Sequence, residues 1–343
     1  MKILLIDPTC LHPSEAAKVD AFLQIPGISL QVLTGNLHVE GDRKVRISQQ
    51  QQPNLHVGKV IGKFPNRTFF LSGLLRCLRQ HPDVILAYSD WDHWLTLQIV
   101  IARFFSSRKS RLFIQGWENQ PRSCRSHPQP NILLYCFDYW VEKIVLAAAD
   151  AVMARSPEAA EVLKSRGFAK PIRVIPWGVD VELFALQPRL SSAVFTVGYV
   201  GRLVPEKGVD VLIRALAGLP NTRGIIVGSG PEREKLEALA VEKGIEIQFT
   251  GSVAQSKLPD ILRQMDVLVL PSRSTHRWAE QFGRAAVEAM VSGIPVIGSN
   301  SGAIPWVIGD ADLIFREDDI EDLNRLIKRL RGDSEFYQQK AIL

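Results

Sequence analysis

The stretch that decides the fold runs from residue 271 to residue 302 and reads PSRSTHRWAEQFGRAAVEAMVSGIPVIGSNSG. The pattern predicts a loop, then a helix from about Phe282 to Val291 that ends at a C-cap formed by Ser292 and Gly293. A short apolar strand is predicted to begin at Pro295. With the apolar run before it, this stretch is typical of a strand, loop, helix and strand in an α/β protein.

Two carboxylates accompany this helix: Glu280 lies at its mouth and Glu288 lies eight residues further on. Open N–H groups of Phe282, Gly283 and Arg284 at a helix N-terminus would attract phosphate. A carboxylate accepts two hydrogen bonds side by side, which suits a vicinal diol. Eight helical residues span about 12 Å, about the reach from a sugar across a diphosphate to a ribose. The pattern fits such a ligand, although a capping and a solvated glutamate would look the same.

A second motif lies at residues 197–210, VGYVGRLVPEKGVD. It predicts a strand that ends at Gly201, where the absence of a side chain lets a ligand approach the backbone closely. The loop that follows carries Arg202 and Lys207 ahead of another helix. A forked guanidinium and a compact ammonium beside a tight turn can hold a diphosphate. An ordinary strand-to-helix loop with surface charges is the alternative.

Together the two motifs resemble the family-four retaining glycosyltransferases of the GT-B fold, the glycosyl transferases group 1. Four more segments resemble motifs of that family at the family's spacing: residues 173–180 (RVIPWGVD), 226–231 (IVGSGP), 249–253 (FTGSV) and 266–272 (DVLVLPS). The resemblance extends from about residue 142 to about residue 315 and is weaker in the first 140 residues.

The resemblance implies an α/β chain with two doubly wound, Rossmann-like parallel-sheet domains that face each other across a cleft. Residues 1–180 would form the N-terminal, acceptor-side domain, and residues 181–343 the C-terminal domain that binds a nucleotide sugar. Relatives usually continue with a helix that crosses back onto the first domain, and the sequence leaves open whether this final helix is missing.

The resemblance also implies roles for individual residues. Glu288 would hold the ribose hydroxyls, Arg202 and Lys207 would neutralise the diphosphate, and Glu280 would contact sugar hydroxyls. The full donor-binding set carried over from the family is Gly201, Gly228, Val253, Gln281, Phe282, Gly283, Arg284 and Glu288.

The reaction implied is transfer of a sugar, with retention, by a hexosyltransferase-type enzyme. The leaving phosphate would take the acceptor proton, so no side-chain nucleophile and no cofactor is required. The donor would be a nucleotide-diphosphate sugar, with UDP favoured over GDP by family frequency. The acceptor would be a glycan or a lipid-linked acceptor in the synthesis of surface polysaccharide or glycoconjugate.

The N-terminal half departs from the family at two loops. Residues 7–12, DPTCLH, replace the usual glycine-rich turn after the first strand, and residues 115–119, QGWEN, stand where many relatives place a histidine. Glu118 is the catalytic candidate in place of that histidine, and Asn119 is a further acceptor-side candidate. His93 is another, although a lone histidine beside tryptophans is more often a packed residue.

Length and periodicity favour two domains, because 343 residues exceed one ordinary core. Strands are predicted at residues 2–6, 30–33, 84–88, 111–115, 150–154, 173–175 and 196–200. Helices are predicted at residues 69–79 and 94–105. Residues 45–62 are predicted to be a polar, exposed loop, and residues 177–192 a linker. Alternating strands and helices are the pattern of doubly wound parallel sheets.

Charge divides the chain unevenly. Residues 1–180 carry 22 Lys and Arg against 15 Asp and Glu, a net +7, whereas residues 181–343 carry 19 against 21, a net −2. The basic half could contact an anionic membrane. Nucleic-acid binding is not expected, because no recognised binding module accompanies the charge.

Export, membrane spans and metals are not expected from the sequence. The first apolar run is too short for a signal peptide, and no apolar run approaches the roughly 20 residues of a membrane span. The four cysteines and seven histidines show no metal-like spacing. We therefore expect a cytoplasmic chain with free thiols and no metal, at the inner face of the membrane if the basic half binds lipid.

Two alternatives remain open at this stage. Another kind of GT-B enzyme, such as a nucleotide-sugar epimerase, would lack the pairing of the residue 201–208 motif with the two spaced acids. A non-catalytic GT-B binding or scaffold protein would fit the two altered N-terminal loops. Turnover of a donor would separate the scaffold from the enzymes.

Overall fold

A computed structural model of the protein describes residues 1–8, 10, 13–40, 43–46, 54–63, 67–116, 118, 132–186, 193–276 and 278–341. The chain divides into two compact units, Met1–Pro176 and Trp177–Leu343. This boundary lies just before the one expected after residue 180. Each unit has its own parallel sheet and its own core.

The N-terminal unit alternates strands and helices as far as residue 174. Its strands are β1 Lys2–Ile6, β2 Ser29–Gly35, β3 Leu37–Glu40, β4 Arg43–Arg46, β5 Leu55–Gly58, β6 Val60–Lys63, β7 Arg67–Phe70, β8 Val84–Tyr88, β9 Arg111–Gly116, β10 Ala151–Ala154 and β11 Ile172–Val174. Its helices are α1 Pro13–Leu23, α2 Leu74–Leu78, α3 Trp94–Ser106, α4 Ile132–Ala148 and α5 Pro157–Ser165.

Seven of these strands form one sheet in the order β11-β10-β9-β8-β1-β2-β5, with every neighbouring pair parallel. The central strand β1 pairs Ile3 with Leu30 of β2 on one side and with Val84 of β8 on the other. Helices cover both faces of such a sheet, so its strands are nearly continuous apolar runs. Accordingly Leu4 and Leu5 of β1 are fully buried, although they point to opposite faces.

The C-terminal unit repeats this architecture. Its strands are β12 Phe195–Val200, β13 Thr222–Val227, β14 Ile247–Gly251, β15 Val267–Leu270, β16 Val296–Ser299 and β17 Ile314–Phe315. Its helices are α6 Val209–Leu216, α7 Arg233–Glu242, α8 Leu258–Leu262, α9 Arg284–Val291, α10 Ile304–Ile308, α11 Ile320–Gly332 and α12 Ser334–Ala341. The six strands are parallel in the order β14-β13-β12-β15-β16-β17. In both units strand order runs outward in two directions from a first strand, as in doubly wound folds.

The predicted helix at residues 69–79 is wrong at its start, because Phe69 and Phe70 belong to strand β7. The Gln98 side chain bonds both backbone groups of Phe70, accepting from its N–H at 2.9 Å and donating to its carbonyl at 2.7 Å. Gly73, at a φ of 91°, then turns the chain into the short helix α2. Apolar residues with helical spacing had concealed this break.

The predicted loop at residues 45–62 is also wrong where the structure describes it. Residues 55–58 form β5, which pairs in parallel with β2, and residues 60–63 form an antiparallel hairpin with β7. β5 is a four-residue edge strand, and the polar residues that precede it had hidden it. Residues 47–53 of that predicted loop lie outside the described residues.

Two element boundaries within residues 271–302 also differ from the prediction. Helix α9 begins at Arg284 rather than Phe282, because Gly283 has a left-handed φ of 79° and stands at the N-cap. Strand β16 begins at Val296, one residue after Pro295. The predicted end of the helix is confirmed, with Ser292 at the C-cap and Gly293 at a φ of 75°. Glu280 therefore precedes the helix, and the 12 Å helical spacing to Glu288 does not apply.

The last described helix, α12, packs within the C-terminal unit. The Tyr337 hydroxyl donates to the Asp266 carbonyl at 2.8 Å, and the Lys340 ammonium lies 2.6 Å from the Asp310 carboxylate. Phe336 is buried in the core beside α11. The described part of the C-terminal unit is thus closed by its own last helix.

Candidate functional site

The loops at the carboxyl edge of the C-terminal sheet pack backbone against backbone. Gly228 follows β13 with a φ of 138°, and a Cβ at this position would lie 1.8 Å from the Gly201 carbonyl oxygen. A backbone hydrogen bond also joins these loops, since the Leu203 N–H donates to the Ser229 carbonyl at 2.9 Å. Only glycine fits the contact between Gly201 and Gly228, so the loops after β12 and β13 are held at a fixed separation.

Lys207 ends a 3-10 turn, Pro205–Lys207, in the loop after β12. Gly208 follows at a φ of 63°, and a Cβ there would lie 2.0 Å from the Pro271 carbonyl oxygen. This contact joins the loop after β12 to the loop after β15. It is the structural reason that Lys207 meets Glu280, 73 residues away in the sequence.

Glu280 is the centre of the polar cluster at this edge. Its carboxylate lies 2.5 Å from the Lys207 ammonium and accepts a 2.8 Å hydrogen bond from the Ser272 hydroxyl. Its carbonyl accepts from the Ala303 N–H at 2.9 Å, which fixes the backbone as well. The carboxylate side chain is 9% exposed and the lysine side chain 18% exposed. The carboxylate is thus held between an ammonium and a hydroxyl donor, and the lysine lies at the rim of the cluster.

Trp278 adds an aromatic face to this cluster. The Lys207 ammonium lies 4.8 Å from the centroid of the Trp278 ring, within the range of a cation–π contact. The Trp278 carbonyl accepts from the Thr275 N–H at 2.7 Å, which closes a tight loop before Glu280. The sequence reading missed both Ser272 and Trp278. Their position between a strand end and the first acid was the available signal.

Glu288 lies inside α9 and is almost fully buried. Its carboxylate lies 3.2 Å from the Arg284 guanidinium and accepts from the Gln255 side-chain amide at 3.3 Å. Burial raises the pKa of Glu288 above its ordinary value, while the Arg284 charge and the Gln255 hydrogen bond act against that rise. Gln255 is a third residue that the sequence reading missed, because it lies 33 residues away from Glu288.

The residues between the two acids take different positions. Phe282 is buried, and its ring lies edge-on to Trp306 with centroids 6.2 Å apart. Gln281 and Arg284 are partly exposed. Within the described part of the chain, the N–H groups of Phe282 and Gly283 have no backbone acceptor. They precede the helix rather than forming its first turn.

Arg202 lies in the loop after β12, and Val253 lies in the loop after β14. Arg202 is exposed, its carbonyl accepts from the buried Tyr199 hydroxyl at 2.8 Å, and its guanidinium forms no salt bridge with any described residue. Val253 follows β14, and the adjacent Ser252 hydroxyl lies 2.8 Å from the Ser229 hydroxyl. The described structure therefore unites Lys207 with Glu280 and leaves Arg202 at the surface.

The N-terminal candidates have different surroundings. His93 is 7% exposed, its Nδ1 lies 3.1 Å from the Ser89 hydroxyl, and its Nε2 lies 3.8 Å from the Asp90 carboxylate. Burial lowers the pKa of His93 to about 4, with the Asp138 charge opposing the change. A neutral imidazole packed in this way is consistent with a structural residue.

Glu118 lies beside the same group, since its N–H donates to the Asp90 carboxylate at 3.3 Å. Asn119, the other acceptor-side candidate, lies outside the described residues. Ligand atoms of Asp90, Asp92 and His93 lie within 4.8 Å of one another, so these three could hold a metal ion. All three also take part in other polar contacts, and the expectation of no metal stays a prediction.

Other buried charges of the N-terminal unit lie at the carboxyl edge of its sheet. Lys18 forms an ion pair with Asp7, directly after β1, and lies 4.2 Å from the centroid of the Tyr88 ring. Arg155 lies directly after β10, and its guanidinium nitrogens lie 2.6–3.1 Å from the Gln115 side-chain oxygen. In the same orientation of the Gln115 amide, its nitrogen donates to the Tyr88 hydroxyl at 3.0 Å. The sequence reading assigned no role to Lys18 or Arg155.

Comparison with protein families gives two matches that together span most of the chain. Residues 187–341 match the family described as glycosyl transferases group 1, and residues 27–183 match the one described as glycosyltransferase family 4. The 2-deoxystreptamine glucosyltransferase of Streptomyces kanamyceticus is 32% identical over 348 residues, covering 90% of this chain and 86% of that protein.

In other relatives, the match with this chain covers a smaller share of the relative's own length. The sulfoquinovosyl transferase SQD2 of Arabidopsis thaliana is 28% identical over 62% of this chain and 45% of its own length. The D-inositol 3-phosphate glycosyltransferase of Mycobacteroides abscessus is 32% identical over 49% of this chain and 41% of its own length. The match thus spans less than half of either protein.

Solved structures share the fold over the whole chain. Sucrose-phosphate synthase from Thermosynechococcus elongatus has a TM-score of 0.72 at 21% identity, covering 99% of this chain and 92% of that one. Anabaena HepE in complex with UDP has a TM-score of 0.72 at 19% identity, covering 100% and 93%. The two Rossmann-like sheets, the family matches and the full-length relative lead to one conclusion: the chain belongs to the family-four glycosyltransferases, the glycosyl transferases group 1, and has the α/β GT-B fold.

Proposed function

We propose that this protein is a retaining glycosyltransferase, of hexosyltransferase type, that uses a nucleotide-diphosphate sugar bound mainly by its C-terminal unit. The observation that carries the proposal is the contact between Lys207 and Glu280 at the carboxyl edge of the sheet. Glu288 lies in the helix that follows. Ligands of doubly wound sheets bind at that edge, so a cation for the diphosphate and two carboxylates for hydroxyls are suitably placed there.

In the proposed reaction the bond between the sugar's anomeric carbon and the terminal phosphate oxygen breaks. The acceptor oxygen bonds to that carbon, and its proton passes to the leaving phosphate. Lys207 and Arg202 stabilise the charge that develops on the diphosphate, which is the step that preorganised cations accelerate. Glu280 holds sugar hydroxyls. Its carboxylate also keeps the Lys207 ammonium in place until the diphosphate binds and becomes the partner of that ammonium.

We propose a uridine nucleotide as the donor, ahead of GDP sugars. Support comes from HepE, a protein of the same fold, which has been solved with UDP and with UDP and glucose. Glu288 holds the ribose, and the backbone at Val253 meets the base. No cofactor beyond this donor is required.

We propose a glycan or a lipid-linked acceptor, bound by the N-terminal unit at the cytoplasmic side of the cell. The relatives are named for different compounds, including 2-deoxystreptamine and D-inositol 3-phosphate. The acceptor of this protein therefore has to be tested directly. Glu118 remains the proposed catalytic group of that unit, with Asn119 and His93 as acceptor-side candidates.

The first experiment is thermal unfolding of the full chain with UDP, GDP and ADP. A nucleotide at about 100 times its dissociation constant should stabilise the folded protein by roughly 2.7 kcal/mol. The shift should disappear in Glu288→Ala and persist in Glu234→Ala, an exposed glutamate of α7. Activity is then tested with sugars of the nucleotide that binds.

Two outcomes would redirect the proposal. No stabilisation by any of the three nucleotides would favour a binding or scaffold protein whose donor site has decayed. Binding without transfer, but with interconversion of the donor sugar, would favour a nucleotide-sugar epimerase. A shift that survives Glu288→Ala would show that the nucleotide binds somewhere other than the proposed site.

A further inference from the structure

Helices α3 and α4 of the N-terminal unit expose an unusual number of large apolar side chains. Phe105 is 80% exposed and Trp140 is 62% exposed. We call the exposed set the aromatic ridge, which comprises Ile101, Phe104 and Phe105 of α3 and Phe137, Tyr139, Trp140 and Ile144 of α4. Single exposed apolar residues are common on soluble proteins, but a concentration on two adjacent helices indicates a contact surface.

The two helices lie side by side, so the ridge is one surface. Trp94 begins α3, and its ring lies 5.1 Å from that of Phe137 in the second turn of α4. The Trp94 indole also donates to the Asp138 carboxylate at 2.9 Å. Near their last turns, the Arg103 guanidinium donates to the Ala148 carbonyl at 2.9 Å. Both contacts join residues about 44 positions apart, so the helices run parallel with a constant offset. Ile101 therefore lies level with the turn that carries Ile144.

The charged side chains that the two helices leave accessible are cations, and Asp150, which follows α4 and is 40% exposed, lies 3.0 Å from the Arg103 guanidinium. Residues 94–116 contain four cations and no aspartate or glutamate. The two acids of α4, Asp138 and Glu142, are buried, and Glu142 lies 2.7 Å from the Arg166 guanidinium. Neither helix therefore exposes a carboxylate.

Cations lie directly against the aromatic rings. The Arg108 guanidinium lies 4.3 Å from the centroid of Phe104, and the Lys143 ammonium lies 5.5 Å from that of Tyr139. Lys109 and Arg111 are exposed nearby. Aromatic rings with an amphipathic contact face, mixed with lysine and arginine, are the side chains that proteins place at an anionic membrane surface.

We propose that the aromatic ridge is a membrane-docking surface that takes a bilayer with anionic headgroups. The rings enter the boundary between headgroups and acyl chains, while Arg108, Lys109, Arg111 and Lys143 contact lipid phosphates. Among the described helices, none combines the length and hydrophobicity that a membrane span requires. In the proposed contact the ridge lies at the bilayer surface. The ridge belongs to the N-terminal unit and the donor-binding candidates belong to the C-terminal unit, and the test of the ridge does not depend on sugar transfer.

The test is co-sedimentation of the full chain with vesicles of phosphatidylcholine alone and of phosphatidylcholine mixed with phosphatidylglycerol. We expect binding to the mixed vesicles that weakens with added salt. The double variant Phe105→Ser, Trp140→Ser should weaken it by more than about tenfold. Lys109→Gln and Arg111→Gln should each weaken it by roughly fivefold. Val241→Ser is the matched control, since Val241 is 82% exposed on the other unit.

Three outcomes would overturn the proposal. One is no binding to the anionic vesicles, and another is binding that the double variant leaves unchanged. The third is concentration-dependent self-association without lipid that the double variant abolishes, which would make the ridge an interface between copies of this chain. Unfolding temperatures of all variants verify that each one folds.

Discussion

The carboxyl edges of the two sheets carry similar residue types in different arrangements. At the C-terminal edge, Lys207 and Glu280 meet at a rim where both keep some exposure. At the N-terminal edge, Asp7 is almost fully buried in its ion pair with Lys18, and Arg155 is engaged by Gln115. The lysines of the two ion pairs are equally exposed, at 18% each, but the C-terminal edge also carries the exposed Arg202, whereas Arg155 is buried. The same fold thus leaves an arginine exposed at the edge of one sheet and buries the arginine at the edge of the other.

Removing the ammonium of Lys207 would test the C-terminal edge of this comparison most directly. We expect Lys207→Ala to lower the rate of sugar transfer by about 100-fold to 1,000-fold, because a preorganised cation is lost from the leaving diphosphate. Nucleotide binding should weaken only in part. Steady-state kinetics and nucleotide titration measure the two effects.

Lys235→Ala is the matched control for that measurement. Lys235 is an exposed lysine of the same unit, 2.7 Å from Glu232, and lies on helix α7. Its loss should leave turnover at the wild-type value. Turnover of Lys207→Ala equal to that of the control would remove Lys207 from the mechanism.

The backbone contact that holds the C-terminal edge can be broken at Gly228. Gly228→Ala should destabilise the chain by about 3 kcal/mol, since its Cβ would lie 1.8 Å from the Gly201 carbonyl oxygen and its φ is positive. Gly218→Ala, where φ is 76° and no atom lies within 4 Å of a Cβ, should cost only about 1 kcal/mol. Chemical denaturation of both variants measures the difference, and equal losses would mean that the loops adjust freely.

Titration sharpens the comparison through His93 of the N-terminal unit. Its pKa is lowered to about 4, so the unfolded chain binds the proton more readily. The stability contributed by neutral His93 is complete above pH 6.5 and is lost as the pH falls towards 4, by at most roughly 3 kcal/mol. His93→Asn should flatten the dependence of unfolding free energy on pH in that window. An unchanged slope would show that His93 is not buried as described.

Glu288 of the C-terminal unit should respond with the opposite sign. Burial raises its pKa, so the folded chain binds the proton more readily, and stability should fall as the pH rises through the raised pKa. Glu288→Gln should remove this fall, and it serves as the counterpart of His93→Asn in the same set of denaturation curves.

The smallest expected effect concerns Trp278. Trp278→Leu should remove the aromatic face 4.8 Å from the Lys207 ammonium, at a cost of about 1 kcal/mol in nucleotide binding or transition-state stabilisation. Trp278→Phe should restore part of it, whereas Trp306→Leu, which contacts Phe282 instead, should not mimic the loss. Identical kinetics for Trp278→Leu and the wild type would show that the ring does not support Lys207.

Much of the fold could be predicted from local patterns. Apolar runs gave strands β1, β8 and β9 within a residue, because strands buried on both faces leave an unbroken apolar signal. Helix α3 and the C-cap of α9 followed from periodicity and from Ser292 and Gly293. The edge strand β5 could not be predicted, because its partner β2 is distant in the sequence. The strand at Phe69 pairs in a local hairpin with β6, and the helical spacing of its apolar residues concealed it.

What the sequence determined by itself was the set of chemical groups: two cations after one strand, two acids around one helix, and glycines at the turns between them. What only the tertiary structure decided was which of these groups meet. Lys207 reaches Glu280 because Gly208 packs on the Pro271 carbonyl, and Glu288 of α9 meets Gln255 in the 3-10 turn after β14. Local sequence encodes dihedral preferences and burial, whereas contacts between distant loops depend on the packing of the whole sheet.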